Sequence, residues 1–387
     1  MGTMKRLVPA DLRLGEPLPF SIFDERGNLL LRKGTVITMP DQIDRLVHRG
    51  ALADEIELRA ATLPVRPTPS APPPAPKEAA FERIGSLMLN LKHILGTVLK
   101  APEQIDLPAR IARIGKAIQE ICADDSDSAL AAPYLDTNNN PIVVHHVLGA
   151  VLAELLARRR GLSDEQRLPI VCAALTRDLD QLSLQGELDR LGTPLPEPMR
   201  ERVRQHPASG SDRLLAAGVV DEAWLAAVRG HHERLDGSGY PAGARSDDIG
   251  PGARILAIAD VYAAMARPRV YRERQPSPQA ALREIHALKG AALDAELANA
   301  LLQEIGMYPP GSTVRLRCGE IAVVASPALK AEEAKVFSIY GRTGMVLAAP
   351  ARRDATSPDY EIAGIVPLAE CRSASVMMKR IWSKETT

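Results

Sequence analysis

HHERLDGSGYP, His231–Pro241, is followed by ARILAIADVYAAMA, Ala253–Ala266. The second stretch decides the fold class. From Ile255 to Ala266 every residue except Asp260 is apolar or aromatic, and a helix apolar on all sides lies inside a protein. A carboxylate placed there needs a cation or strong donors. A metal ion and a salt bridge to an arginine meet that need equally well. Asp178, just after the apolar run PIVCAAL (Pro169–Leu175), poses the same choice.

The first stretch begins with two of the chain's eight histidines, and five of the eight lie between His145 and His232. His206 stands 25 residues before His231, in QHPASG. Neutral imidazoles suit Fe, Mn, Ni or Zn, and helices can aim several of them at one point. Taken singly, each histidine is an ordinary surface or core residue, and His48, His93 and His286 are read that way. In DGSGYPAG the glycines permit tight turns and close backbone approach, while Pro241 presses Tyr240 toward extended backbone. By itself this is a turn between helices. Arg267, Arg269 and Arg272 follow the Asp260 helix, where guanidinium groups can hold phosphates or simply face water.

The 387 residues are too many for one small core and imply two or three domains. With 45% hydrophobic and 25% charged residues, wholesale disorder is excluded. Lys plus Arg and Asp plus Glu both number 48. That balance speaks against a nucleic-acid polymer as partner. Cys122, Cys172, Cys318 and Cys371 show no CxxC spacing, which argues against a disulfide framework or zinc knuckle and fits a reducing cytoplasm. No uncharged apolar run is expected to reach the roughly 18 residues of a membrane span. Asp11 and Glu16 precede any stretch that could serve as a signal peptide. The expectation is a soluble cytoplasmic protein.

Proline fills seven of the fifteen positions in LPVRPTPSAPPPAPK, Leu63–Lys77. Residues 62–78 therefore read as a semi-rigid linker, with a ligand for an SH3-type domain as the lesser alternative. Before it, residues 1–61 form a small β-rich module: PFSIF and LLL flank the turn residues DERGN, and a helix over Pro40–Arg49 stops at Gly50. Residues 79–305 have helical periodicity throughout, with a lead-in over 79–132 carrying Met88, Leu91, Ile94, Leu95, Ile111, Ile114, Ile118 and Ile121. Ser163 and Gln166 have capping-box spacing. Residues 306–376 shift to strands, TVRLR, EIAVVAS, KVFSIY and GMVLAA. The fold class is thus multi-domain and mainly α, with small β-rich modules at both ends.

HHERLDGSGYP, ARILAIADVYAAM and RPRVYR (Arg267–Arg272) together closely resemble the HD-GYP family, a branch of the HD metal-dependent phosphohydrolases. The resemblance covers roughly His145–Gln303. It implies an all-helical catalytic core that hydrolyses cyclic di-GMP at a two- or three-metal site. It also implies His145 and Asp260 as ligands of the first metal position, Asp178 as the bridging carboxylate, and His206, His231 and His232 as ligands of the second. Gly239, Tyr240 and Pro241 match the family's substrate loop, and Arg269 and Arg272 match its phosphate-holding residues. On this matching His146 is an ordinary helix residue. The helical lead-in suggests a homodimer, and the two β modules suggest protein partners.

The family's HDxGK reads here Arg177-Asp178-Leu179-Asp180-Gln181. Arg177 replaces the ligand histidine and Gln181 the phosphate-assisting lysine. Ala263 stands where a second aspartate is usual, and Pro141 where three-metal members have glutamate. Pro169 is expected to bend the helix leading to Asp178. Arginine has no acceptor and keeps its charge. At about 4 Å and an effective dielectric near 20 it repels a unit charge by roughly 4 kcal/mol and a divalent ion by twice that. One divalent ion (Fe, Mn, Ni or Zn), rather than two or three, is therefore expected, with Arg177 paired to Asp260, Asp178 or a bound phosphate. Three functions remain open: a cyclic di-GMP receptor with little or no hydrolysis, an active phosphodiesterase with an altered metal set, and a non-catalytic scaffold.

Overall fold

A computed structural model describes residues 3–62, 79–183, 196–266 and 277–382. The Pro-rich segment over 63–78, and Arg267, Arg269 and Arg272, lie outside the described residues. The chain divides into two compact units, Met1–Pro76 and Lys77–Thr387.

In the first unit β1 (Met4–Arg6), β2 (Ile22–Phe23), β3 (Leu29–Leu31) and β4 (Leu52–Asp54) form an antiparallel sheet in the order β1-β4-β2-β3. The DERGN hairpin forms as its turn residues dictate: Asp24 Oδ1 accepts from the backbone N–H groups of Arg26 and Asn28 at 2.9 and 2.8 Å. Helix α1 (Pro40–His48) begins at a proline, which needs no hydrogen-bond partner in the first turn. It ends before Gly50, whose φ of +69° suits a helix stop. Leu7, Phe20, Ile22, Ile37 and Ala53 make the small core, closed by Ile43, Leu46 and Val47 from α1. Helix α2 (Glu55–Thr62) follows β4.

The described residues of the second unit between Ala80 and Ile305 form helices and the turns joining them. Its helices are α3 (Ala80–Lys100), α4 (Leu107–Asp124), α5 (Ser126–Leu135), α6 (Pro141–Arg159), α7 (Asp164–Thr176), α8 (Glu197–Ala216), α9 (Glu222–Gly230), α10 (Pro251–Met265), α11 (Pro278–Leu288) and α12 (Ala295–Ile305). The apolar stripe of α3 is buried at Leu87, Met88, Leu91, Ile94 and Leu95. The Ser163–Gln166 capping box opens α7, which runs unbroken through Pro169.

Helix α6 carries Glu154 within its apolar run, so the uncharged stretch stays short of a membrane span. By overall length and composition alone it still passes for one. It is buried from Val143 through Ala157 because α3, α4, α5, α7, α10 and α12 pack around it. A helix enclosed on every side has no polar face to show.

Beyond Ile305 the chain forms β5 (Thr313–Leu316), β6 (Ile321–Val324), β7 (Lys335–Tyr340), β8 (Val346–Asp354) and β9 (Ile362–Ile365), ordered β8-β7-β6-β5-β9 and antiparallel. Successive residues of a strand point to opposite faces. Val323 accordingly joins the helical core, whereas Ala322 and Val324 join a separate core on the far face. Helix α13 (Ser375–Arg380) follows, and Trp382 stacks on Phe81 of α3 with centroids 5.7 Å apart. The C-terminal sheet is thus built into the same unit as the helices.

Candidate metal centre

Five elements converge on one buried locus. Helix α6 brings His145, the turn after α7 brings Arg177 and Asp178, and α8 brings His206. His231 and His232 come just past α9, and Asp260 lies on α10. The packing of α6 against α7 and α10, and of α9 against α8, makes these meet. The turn after α7 is fixed from behind: Thr176 Oγ1 donates to Cys172 O at 2.8 Å and accepts from Trp224 Nε1 at 2.8 Å.

Two donor groups result. Asp178, His206, His231 and His232 each offer a ligand atom within 4.8 Å of the others. His206 Nδ1 and His231 Nδ1 each donate to a backbone carbonyl, of Val203 and Val228, at 2.6 Å. Such outer bonds fix the tautomer and leave Nε2 as the acceptor. The two Nε2 atoms face each other at 3.3 Å and lie 3.3 and 3.7 Å from Asp178 Oδ1. Acceptors converging without a donor between them suit a divalent cation. Without one, a proton serves: burial disfavours the His206 imidazolium, but the Asp178 carboxylate outweighs it and raises its pKa. Burial and neighbouring His231 hold the His232 pKa well below the ordinary value, which keeps that ring available as a neutral ligand.

The second group is His145, Asp178 and Asp260. Arg177, 1% exposed, stands among these residues. Its Nε donates to Asp260 Oδ1 at 3.0 Å, Nη1 donates to Ala174 O at 2.5 Å, and Nη2 lies 2.6 Å from His145 Nε2. Since arginine only donates, His145 Nε2 has to accept. His145 Nε2 and Asp260 Oδ1 are 3.0 Å apart and both face the guanidinium. Burial pushes Asp260 up, but the Arg177 guanidinium outweighs it and holds the carboxyl well below the usual range. Asp178 is likewise held down against burial by His146, His206, His231 and Arg177.

Tyr240 is half-buried, with its ring 4.7 Å from that of His232. Burial, with Asp260 and Asp178, raises its pKa and keeps the phenol protonated. Gly239 is required by space: a Cβ there would come within 2.6 Å of the Glu233 backbone. Pro241 completes the loop, Gln181 opens a short 3-10 turn after Asp178, and Ala263 is buried one turn along α10 from Asp260. Pro141 is the first residue of α6, exposed and one turn before His145.

Two expectations are corrected. His146 is fully buried, and its Nε2 comes within 3.2 Å of Asp178 Oδ2, though without hydrogen-bond alignment. It belongs to the centre and is no ordinary helix residue. Arg177 is enclosed by protein acceptors, so the bound-phosphate alternative loses to the pair with Asp260. Sequence reasoning also missed Glu233. Its two buried carboxylate oxygens accept from Ala242 N and Ala244 N at 2.7 and 2.9 Å, tying the loop that carries Tyr240. The signal was an acid directly before a glycine-rich loop whose N–H groups need acceptors.

Residues 130–297 match a family model described as "HD domain". A cyclic di-GMP phosphodiesterase of Pseudomonas aeruginosa is 30% identical over 277 residues, covering 68% of this chain and 64% of that protein. Over residues 130–297 the chain is thus similar to HD domains. Other relatives are covered to a smaller extent. The cyclic di-GMP phosphodiesterase response regulator RpfG of Xanthomonas campestris is 34% identical over 39% of this chain and 40% of its own length. A 3'3'-cGAMP-specific phosphodiesterase of Vibrio cholerae is 33% identical over 41% of this chain and 34% of its own. The chain spans less than two thirds of each of these relatives.

Proposed function

We propose that this protein binds cyclic di-GMP at a centre holding one divalent ion and hydrolyses it slowly or not at all. The observation that carries this reading is the Arg177 guanidinium seated between His145 Nε2 and Asp260 Oδ1. Asp178, His206, His231 and His232 would hold the ion, which supplies positive charge to a phosphate oxygen. Tyr240, protonated and beside His232, presents a hydroxyl and a ring face to the nucleotide. With His145 and Asp260 committed to Arg177, the chain lacks the paired-ion arrangement that generates a hydroxide and stabilises both reacting oxygens. Binding survives and turnover is lost. On this reading the protein is a cytoplasmic signalling component, and its β-rich parts engage protein partners.

A second reading, an active phosphodiesterase with an altered metal set, draws support from the complete four-ligand group. Calorimetry with cyclic di-GMP, run beside chromatography of the same mixture with Mn(II) or Fe(II), separates the two. Binding with no linear product is expected. It should be accompanied by turnover in the Arg177→His, Gln181→Lys, Ala263→Asp triple variant. Wild-type turnover matching the triple variant would overturn the first reading.

A further inference from the structure

Gly149 lies one helical turn after His145, in the buried middle of α6. Glycine there weakens a helix relative to alanine, because it loses more backbone freedom on folding. Its neighbours Leu148, Ala150, Val151 and Leu152 are all buried and apolar. A Cβ on Gly149 would lie 2.8 Å from Arg177 Nη1, 3.1 Å from Nη2 and 3.2 Å from Cζ. The three nearest heavy atoms all belong to one guanidinium. The end of an arginine normally swings aside, but this one is held by Asp260, Ala174 and His145 and has no route to solvent.

We propose that Gly149 is the positioning residue for Arg177: it forms the socket that lets a guanidinium occupy the first-metal position. Resting on the reading of Arg177 as that position's resident cation, the inference adds that two residues on different helices act as a matched pair. Arg177 supplies the charge for His145 and Asp260, and the missing Cβ supplies the space. In a chain without the guanidinium, the three nearest atoms that an alanine Cβ at 149 would meet are gone, and alanine favours the helix over glycine.

A double-mutant cycle on the full chain tests this through melting temperature, which depends on neither nucleotide nor turnover. Gly149→Ala alone should lower Tm by several degrees. Introduced into Arg177→Ala, the same change should raise Tm, a reversal of sign that packing around Gly149 by itself would not produce. Should Arg177→Ala fail to fold, Arg177→Lys serves. It keeps a charge beside Asp260 but lacks the Nη atoms a Cβ would meet, so Gly149→Ala should be neutral or stabilising there too. The same loss of Tm in every background would overturn the pairing. That failure would leave nucleotide binding without hydrolysis untouched, whereas wild-type hydrolysis would remove the proposed function and leave the pairing standing.

Discussion

Arg177 Nη2 lies 2.6 Å from His145 Nε2, and the same guanidinium donates through Nε to Asp260 Oδ1 at 3.0 Å. Two groups that could ligate a cation thus share a covalently attached one. Their lone pairs converge on arginine as they would on an ion, and the charge cannot be removed by a chelator or by pH.

Removing that charge should be costly. Arg177→Ala strands the Asp260 carboxylate in the core, and breaking a buried pair from one side costs about 3–5 kcal/mol. Arg177→His should lose less when Mn(II) is present, because an imidazole can share an added ion with His145 and Asp260. Denaturant unfolding with and without Mn(II) checks this. Equal losses for both variants, unmoved by Mn(II), would count against ion binding at that position.

Glu233 uses both carboxylate oxygens on backbone N–H groups. Glu233→Gln replaces one acceptor with a donor and leaves at least one N–H unanswered, at a cost of about 1–3 kcal/mol. Amide exchange at Ala242 and Ala244 should quicken while exchange in α6 stays slow. Unchanged protection at both amides would show that the loop is held by something else.

Much of this was legible before any coordinates. Asp260 announced itself as a carboxylate inside an all-apolar helix, and the Ser163–Gln166 cap and the DERGN hairpin followed from local chemistry alone. What stayed hidden depends on partners distant in sequence. His146 faces Asp178 only because α7 crosses α6, and nothing within α6 distinguishes it from a core position. Gly149 looks like a weak point in a helix until Arg177 is placed against it. Strand β9, four residues with a central Ala-Gly, has too little periodicity to declare itself and exists because β5 offers it an edge.

Asp127 gives a pH dependence remote from the centre. Burial, then the charge of Asp125, pushes its pKa to about 6, against the pull of Lys335. The folded chain therefore binds more protons than the unfolded chain between the ordinary value of 3.8 and about 6. Stability should fall as pH rises through that window, with the penalty fully present above it. Asp127→Asn cannot ionise, so it should melt above wild type at neutral pH and converge with it as the pH falls toward the lower limit. A variant that melts lower at neutral pH would mean that the carboxylate's place in the first turn of α5 outweighs its burial.

The four-ligand group makes the most direct claim about metal. His206 and His231 are already aimed by their Nδ1 bonds to Val203 and Val228, so little ordering is left to oppose capture of an ion. Mn(II) at a hundred times its dissociation constant should therefore stabilise the full chain by about 2.7 kcal/mol, and a chelator should reverse the gain. His231→Ala should abolish most of it, since three ligands remain and His206 Nε2 then faces a gap. His93→Ala, exposed on α3, should leave it unchanged. Retention of the full Mn(II) gain by His231→Ala would place the ion away from Asp178 and His206, and would remove the metal from the nucleotide site proposed around Tyr240.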